Sequence, residues 1–183
     1  ILLIHVPAVQ KQITRKLESY LSARTKSNVA IERIRFSLLG ELVIEGVKLQ
    51  DAAQKEIVTI GRMEAKSNIL DLLKGQYNIK EISISDVRAY LIEDDKGLNI
   101  QLILDAFQSK DQKDAPSKEV NIHFNKVALN NISFTYASTI SHLTIDAQLG
   151  EFTSDNIVYT TSPLRIKADS ISLAHTSIDI FTA

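Results

Sequence analysis

The 183-residue chain has no cysteine, no tryptophan, six glycines, three prolines and four histidines. Without cysteine there is no disulfide, no thiolate metal site and no cysteine nucleophile, and the compartment has to be argued from something else. So few glycines leave no phosphate-cradling loop, no dinucleotide fingerprint and no Gly-x-Ser-x-Gly elbow. Aromatic residues make up 6% of the chain and form no platform on which sugars or bases could stack. Charge of one sign is also lacking. The formal net charge is -1, whereas a nucleic-acid binder carries a basic excess to neutralise phosphates. Long apolar runs are missing too: the opening "ILLIHVP" is broken by His5 and Pro7, far short of the roughly 20 residues that span a bilayer. It reads as the last turns of a membrane helix whose beginning is absent, or as an ordinary buried start.

The chemistry that remains is sparse. His5, His123, His142 and His175 are scattered, with no metal-ligand spacing among them. His123, between Ile122 and Phe124, points to the polar side of a regular strand. Asp94-Asp95 precede Lys96-Gly97 in what reads as a hairpin turn, where aspartate bonds its own backbone. The sequence therefore predicts no catalytic residue, no metal site and no cofactor, and the protein is read as a non-enzyme.

What is present is a folded composition, 44% hydrophobic and 23% charged, with a period that changes once. From Pro7 to about Arg24 the spacing is helical: Val9, Ile13, Leu17, Tyr20 and Leu21 share a face, and Lys11, Arg15 and Lys16 make the other face basic. That face suits either solvent or anionic lipid headgroups. After "TKSN" the period becomes two. "VAIERIRF" and "ELVIEGVKLQD" read as a hairpin, "EIVTIGRMEAKSN" as a third strand with a possible bulge at Gly61, and "ILDLLKGQ" as a short helix capped by Asn68. "YNIKEISISDVRAYLIED" reads as a long strand, and "LNIQLILDAF" as a second short helix or, in so short a run, a strand. Residues 108–118 are a polar, proline-containing linker. Beyond it, 119–183 is strand after strand, with turn chemistry at Asn130-Asn131, Gly150, Asp155-Asn156 and Ser162-Pro163.

The strands have one peculiarity. In "EISISDVRAYL", Ile82 and Ile84 hand over to Val87, Ala89 and Leu91 only if the alternation slips by one at Ser85-Asp86. The slip recurs in "VNIHFNKVALNNISFTYA", where Ile122 and Phe124 hand over to Val127 and Leu129, then to Ile132, Phe134 and Tyr136. "ISISDVRAYL", "VALNNISFTY" and, more loosely, "ISLAHTSIDI" form a weak repeat. A bulge or tight corner, with Asp86 and Asn131 bonding the backbone, accounts for the slips. The strands outnumber the helices available to cover them. An apolar face must be buried against helices, a second sheet, or something that is not protein. A closed sandwich serving as an assembly scaffold without lipid, and an open sheet whose apolar face takes acyl chains, both satisfy this.

"PAVQKQITRKLESYLSARTKSNVAIERIRFSLLGELVIEGVKLQD" resembles the start of the AsmA-like/TamB envelope proteins, particularly those of Bacteroidetes-type bacteria. There an amphipathic helix follows the membrane anchor and leads to a strand of the kind Val29, Ile31, Ile34, then to Leu42, Ile44, Glu45, Gly46, Val47, Leu49 and Asp51. "NILDLLKGQYNIKEISISDVRAYLIEDDKGLNIQLILDAF" is similar to the same family. The resemblance covers about Ile1 to Phe107, is one of pattern and order, and departs in that much of the anchor is missing. It implies a mainly β protein, an N-terminal module over 1–107 with a helix over 8–24. Its strands would continue past the linker into a truncated 119–183, as a long, curved, taco-like antiparallel sheet with an open groove. It further implies an inner-membrane-anchored protein facing the periplasm, engaged in phospholipid transport toward the outer membrane and in outer-membrane biogenesis. Its partners would be acyl chains and envelope assembly proteins. The groove-lining candidates are Ile82, Ile84, Val87, Ala89, Leu91, Ile122, Phe124, Val127, Leu129, Ile132, Phe134 and Tyr136. The membrane-proximal candidates are Lys11, Arg15 and Lys16.

Overall fold

The computed structural model describes residues 7–37, 40–51, 54–67, 79–107, 121–161 and 164–182. Helix α1, Pro7–Thr25, opens on a proline whose missing N-H costs nothing in a first turn. It ends where Lys26 adopts a left-handed φ of 52°, the conformation that commonly stops a helix. The strands are β1 Asn28–Phe36, β2 Glu41–Gln50, β3 Glu56–Ser67, β4 Ile79–Asp94, β5 Gly97–Leu98, β6 Asn121–Ser138, β7 Leu143–Thr161, β8 Leu164–Lys167 and β9 Ser170–Thr182. A second helix, α2 Gln101–Phe107, lies between β5 and β6. The turn into β5 has the expected chemistry: the Lys96 N-H donates to Asp94 Oδ1 at 2.9 Å. The expected short helix at 69–76, the linker, the opening apolar run and Ser162-Pro163 lie outside the described residues.

All nine strands join one open sheet in the order β1-β2-β3-β4-β6-β7-β8, with β5 on β4. The far edge of β7 is shared, β8 pairing with Val158–Thr161 and β9 with Leu143–Asp155. Every junction is antiparallel except β4–β6, which is parallel. That is a correction to a wholly antiparallel sheet, and local alternation could not have revealed it because it is the same in either direction. The described residues contain no second sheet.

The slipping alternation has a structural origin that runs across the whole sheet. In β1, Val29, Ile31 and Ile34 are all buried in one cluster, against Leu17 and Leu21 of α1 and Leu42, Ile44, Val47 and Leu49 of β2. Odd residues face the helix before Glu32 and an even residue faces it afterwards. The pairing with β2 nonetheless keeps one register, Ile31 opposite Val47 and Arg33 opposite Glu45, so no residue has been inserted. The change falls where Glu32 meets Gly46, whose φ is 66°. The flanking pairs carry the same line onward through Gly61, Asp86, Asn131, Gly150 and His175.

On this line the left-handed residues are Gly46, Asp86 (φ 58°), Asn131 (53°) and His175 (54°), one in each of β2, β4, β6 and β9, the strands that run in one direction. Asp, Asn and His are the non-glycine types that tolerate this conformation best. A left-handed residue turns the chain over, so the next side chain emerges on the face that strict alternation would deny it. Two of the strands running the other way, β3 and β7, bring glycine against these residues. A Cβ on Gly61 would lie 2.7 Å from Asp86 Cβ, and one on Gly150 would lie 2.6 Å from His175 Cβ. At the parallel junction two left-handed residues meet, and Asn131 Nδ2 donates to Asp86 Oδ1 at 2.6 Å. The other slip in β6, at Asn125, faces Asn156 (φ 49°), which donates to Asp169 Oδ2 at 2.9 Å.

Several expectations are thereby corrected. Asn130-Asn131, Gly150 and Asp155-Asn156 lie inside β6 and β7 and are not turns, because the left-handed conformation that marks a turn is used here within continuous strands. Gly61 is no bulge; in β3 the register shifts instead opposite Leu49/Gln50 and at Lys66/Ser67. Asp86 and Asn131 bond each other rather than the backbone. On α1, Tyr20 is exposed, while Thr14 and Thr25 are buried, so the packed face is rotated from the one expected.

Candidate functional site: an apolar sheet face

The candidate residues of β4 and β6 stand side by side, one for one. Ile82 pairs with Val127, Ile84 with Leu129, Val87 with Ile132, Ala89 with Phe134 and Leu91 with Tyr136. In-register neighbours project from the same face, so both sets share it. One row can be followed from end to end: Ile34, Ile44, Met63, Ile84, Leu129, Phe152, Leu173. A row on the other side of the line runs Val29, Leu49, Val58, Ala89, Phe134, Ala147, Ile178. The first members of both rows touch α1, which fixes this as the helix-bearing face. Ile122 and Phe124 lie beyond the second slip, beside Tyr159 and Ile157.

The opposite face is polar and charged. Glu45 accepts from Arg35 and Arg62, Arg62 also pairs with Glu64, and Lys66 pairs with Glu81 at 3.2 Å. A sheet with one charged and one apolar face is stable only where the apolar side is covered, and the cover is uneven. Under α1 the side chains are buried. Along β4 and β6 the candidates are half-buried, apart from Ile122, which is exposed. On β9 the rows end in Ile171, Leu173, Ile178 and Ile180, each at least 60% exposed.

Polar groups close one end of the face. Beyond Leu91 and Tyr136, the carboxylate of Glu93 accepts from Tyr136 Oη at 2.6 Å and from Ser138 Oγ at 2.8 Å. The Tyr136 bond and then the Ser138 bond hold the Glu93 carboxyl below its ordinary value, and the bond to Glu93 pushes the Tyr136 phenol above its own. Near α1, Lys11 and Arg15 reach a cleft of about 530 Å³ shared with Arg33 and Arg35 of β1, while Lys16 is exposed elsewhere on the helix. Four cations thus surround a cleft that also holds Glu18 and Glu32, and Glu18 is engaged with the Ile31 N-H.

Sequence reasoning missed the contributions of β2, β3, β7 and β9 to the face. The signal was present. "LVIEGVKLQD" places Gly46 in the same fifth position as Asp86, Asn131 and His175 in their repeats. Among the described residues no helix is long and apolar enough to cross a membrane, and no cluster of His, Asp or Glu could hold a metal. No protein-family model and no curated protein matches the chain.

Proposed function

We propose that this protein is a non-enzymatic lipid-groove protein of a bacterial cell envelope, anchored at the inner membrane and facing the periplasm. There it would guide phospholipid between inner and outer membrane and serve outer-membrane biogenesis. The observation that carries the reading is the apolar face, continuous across β1 to β9, with α1 packed on its β1 end and exposed apolar side chains on β9 at the other. Burying an acyl chain there gains about 0.8 kcal/mol per CH2, while a headgroup stays in water at the edge. The reaction would be passive guidance with no covalent step. Lys11 and Arg15, on the cleft beside β1, suit an anionic headgroup at the membrane-proximal end, while Arg33 and Arg35 there are paired with Glu45. The envelope location rests on the resemblance of Ile1 to Phe107 to AsmA-like/TamB proteins.

Native mass spectrometry with lipid extraction, on protein purified from a bacterial host without detergent, tests this. Near-stoichiometric phospholipid is expected, and Leu129→Asp or Phe134→Asp should lower it while the far-ultraviolet circular dichroism stays unchanged. A lipid-free folded monomer, or lipid capture indifferent to both substitutions, would overturn the proposal.

A further inference from the structure

The apolar face ends on an acid. In β4, Ile82, Ile84, Val87, Ala89 and Leu91 occupy it in turn, and the next residue on the same side is Glu93, paired with Ser138 of β6 as Leu91 is paired with Tyr136. β4 stops one residue later, at Asp94. Glu93 therefore stands where the apolar surface gives way to the strand ends. Its backbone is held from both sides, since its carbonyl accepts the Thr139 N-H at 2.9 Å and Leu98 of β5 pairs with it on the other edge.

The two carboxylate oxygens are used unequally. Tyr136 Oη at 2.6 Å and Ser138 Oγ at 2.8 Å both donate to Oε2, and among the described residues no donor reaches Oε1 and no lysine, arginine or histidine pairs with the group. The two hydroxyl bonds favour the ionised form. Glu93 is thus a half-buried anion that borders apolar side chains, lacks a counter-charge among the described residues and keeps one oxygen free to accept. Such a group gains most from a ligand that brings both positive charge and N-H donors.

We propose that Glu93 Oε1 is the acceptor for the primary ammonium group of a phospholipid headgroup whose acyl chains lie on the face beside Leu91, Tyr136 and Phe134. This rests on the lipid-groove reading and adds headgroup discrimination to it. A primary ammonium supplies charge and N-H donors together, a quaternary ammonium supplies charge without a donor, and a glycerol headgroup supplies donors without charge. Ethanolamine phospholipids are the ones that satisfy both demands. Tyr136 serves at the boundary, its ring on the apolar side and its hydroxyl occupying Oε2.

The test is to incubate the intact protein with vesicles of phosphatidylethanolamine, phosphatidylcholine and phosphatidylglycerol, equal in amount and in acyl chains, and to count bound lipid by native mass spectrometry. The expected result is enrichment of phosphatidylethanolamine, falling about tenfold in Glu93→Gln, the scale of one charge-assisted hydrogen bond. Tyr136→Phe keeps the carboxylate and should keep an enrichment. The preference of the unmodified protein for ethanolamine over choline headgroups tests the proposal even where a variant fails to fold. Equal uptake of the three lipids, an enrichment that survives Glu93→Gln, or one lost as fully in Tyr136→Phe would overturn it and leave the lipid-groove reading standing. Free ethanolamine that competes at the lipid's own concentration would also overturn it, by assigning Glu93 to a soluble amine. Uptake of none of the three lipids would overturn both readings.

Discussion

The β1 end and the β9 end of this sheet carry nearly the same pattern and have opposite fates. Ile34 at one end is 2% exposed, while Ile178 at the other is 64% exposed, although both belong to apolar rows on the same face. The difference lies in what lies over them. At β1 a helix supplies Leu17 and Leu21 to the core and Glu18 and Ser22 to the strand's outer backbone. At β9 no described element does either. Hydrophobicity written into a strand says that the strand wants cover, and only topology says whether it has it.

That contrast can be broken by truncation. Ile34→Ala should cost about 3 kcal/mol, the middle of the range for emptying a packed site, whereas Ile178→Ala should stay within about 0.5 kcal/mol, as exposed substitutions do. Denaturant titration of both variants measures it, and equal losses would mean that the β9 end is covered in solution. A smaller effect, about 1–3 kcal/mol as for other overpacked sites, is expected from Gly61→Ala, which drives a Cβ against Asp86. Adding Asp86→Gly to that variant should recover most of the loss. If it does not, close approach is not what the line of glycines serves.

The smallest effect concerns the Glu93 cluster. Its folded-state carboxyl is held below the ordinary value of 4.5, so its contribution to stability is present above that value and is lost as pH falls through the lowered one. Glu93→Gln should remove this part of the acid sensitivity and lower the titration of Tyr136, read by phenol absorbance. A Tyr136 titration unchanged in Glu93→Gln would sink the assignment.

Much of this was legible in sequence. The 3.6 period of α1 and the 2.0 period of every strand place the elements, and the slips at Asp86 and Asn131 mark where the face is re-phased. What period cannot say is how. Asn131, Gly150 and Asn156 have the side chains of turn residues because turns and this sheet ask for the same backbone freedom, and a local reading chooses the commoner use. The parallel β4–β6 junction was hidden because alternation has no direction. The pairing of Ile84 with Leu129 was hidden because it joins residues separated by a helix. The candidate set itself, drawn from two strands far apart in sequence, came together on neighbouring positions because each strand counts its apolar residues from the same left-handed position.

The line of left-handed residues acts as an origin of coordinates for the whole sheet. Adding or deleting a residue at a strand tip, beyond Gln50 or before Ile79, changes length and nothing else. The same change between Leu42 and Gly46, or between Leu129 and Asn131, would move one strand's apolar set to the charged side while its neighbours stayed in place. Variation in such a protein should accumulate as indels outside the strands and as substitutions within them. The spacing between the left-handed position and its flanking apolar residues is the quantity least free to drift.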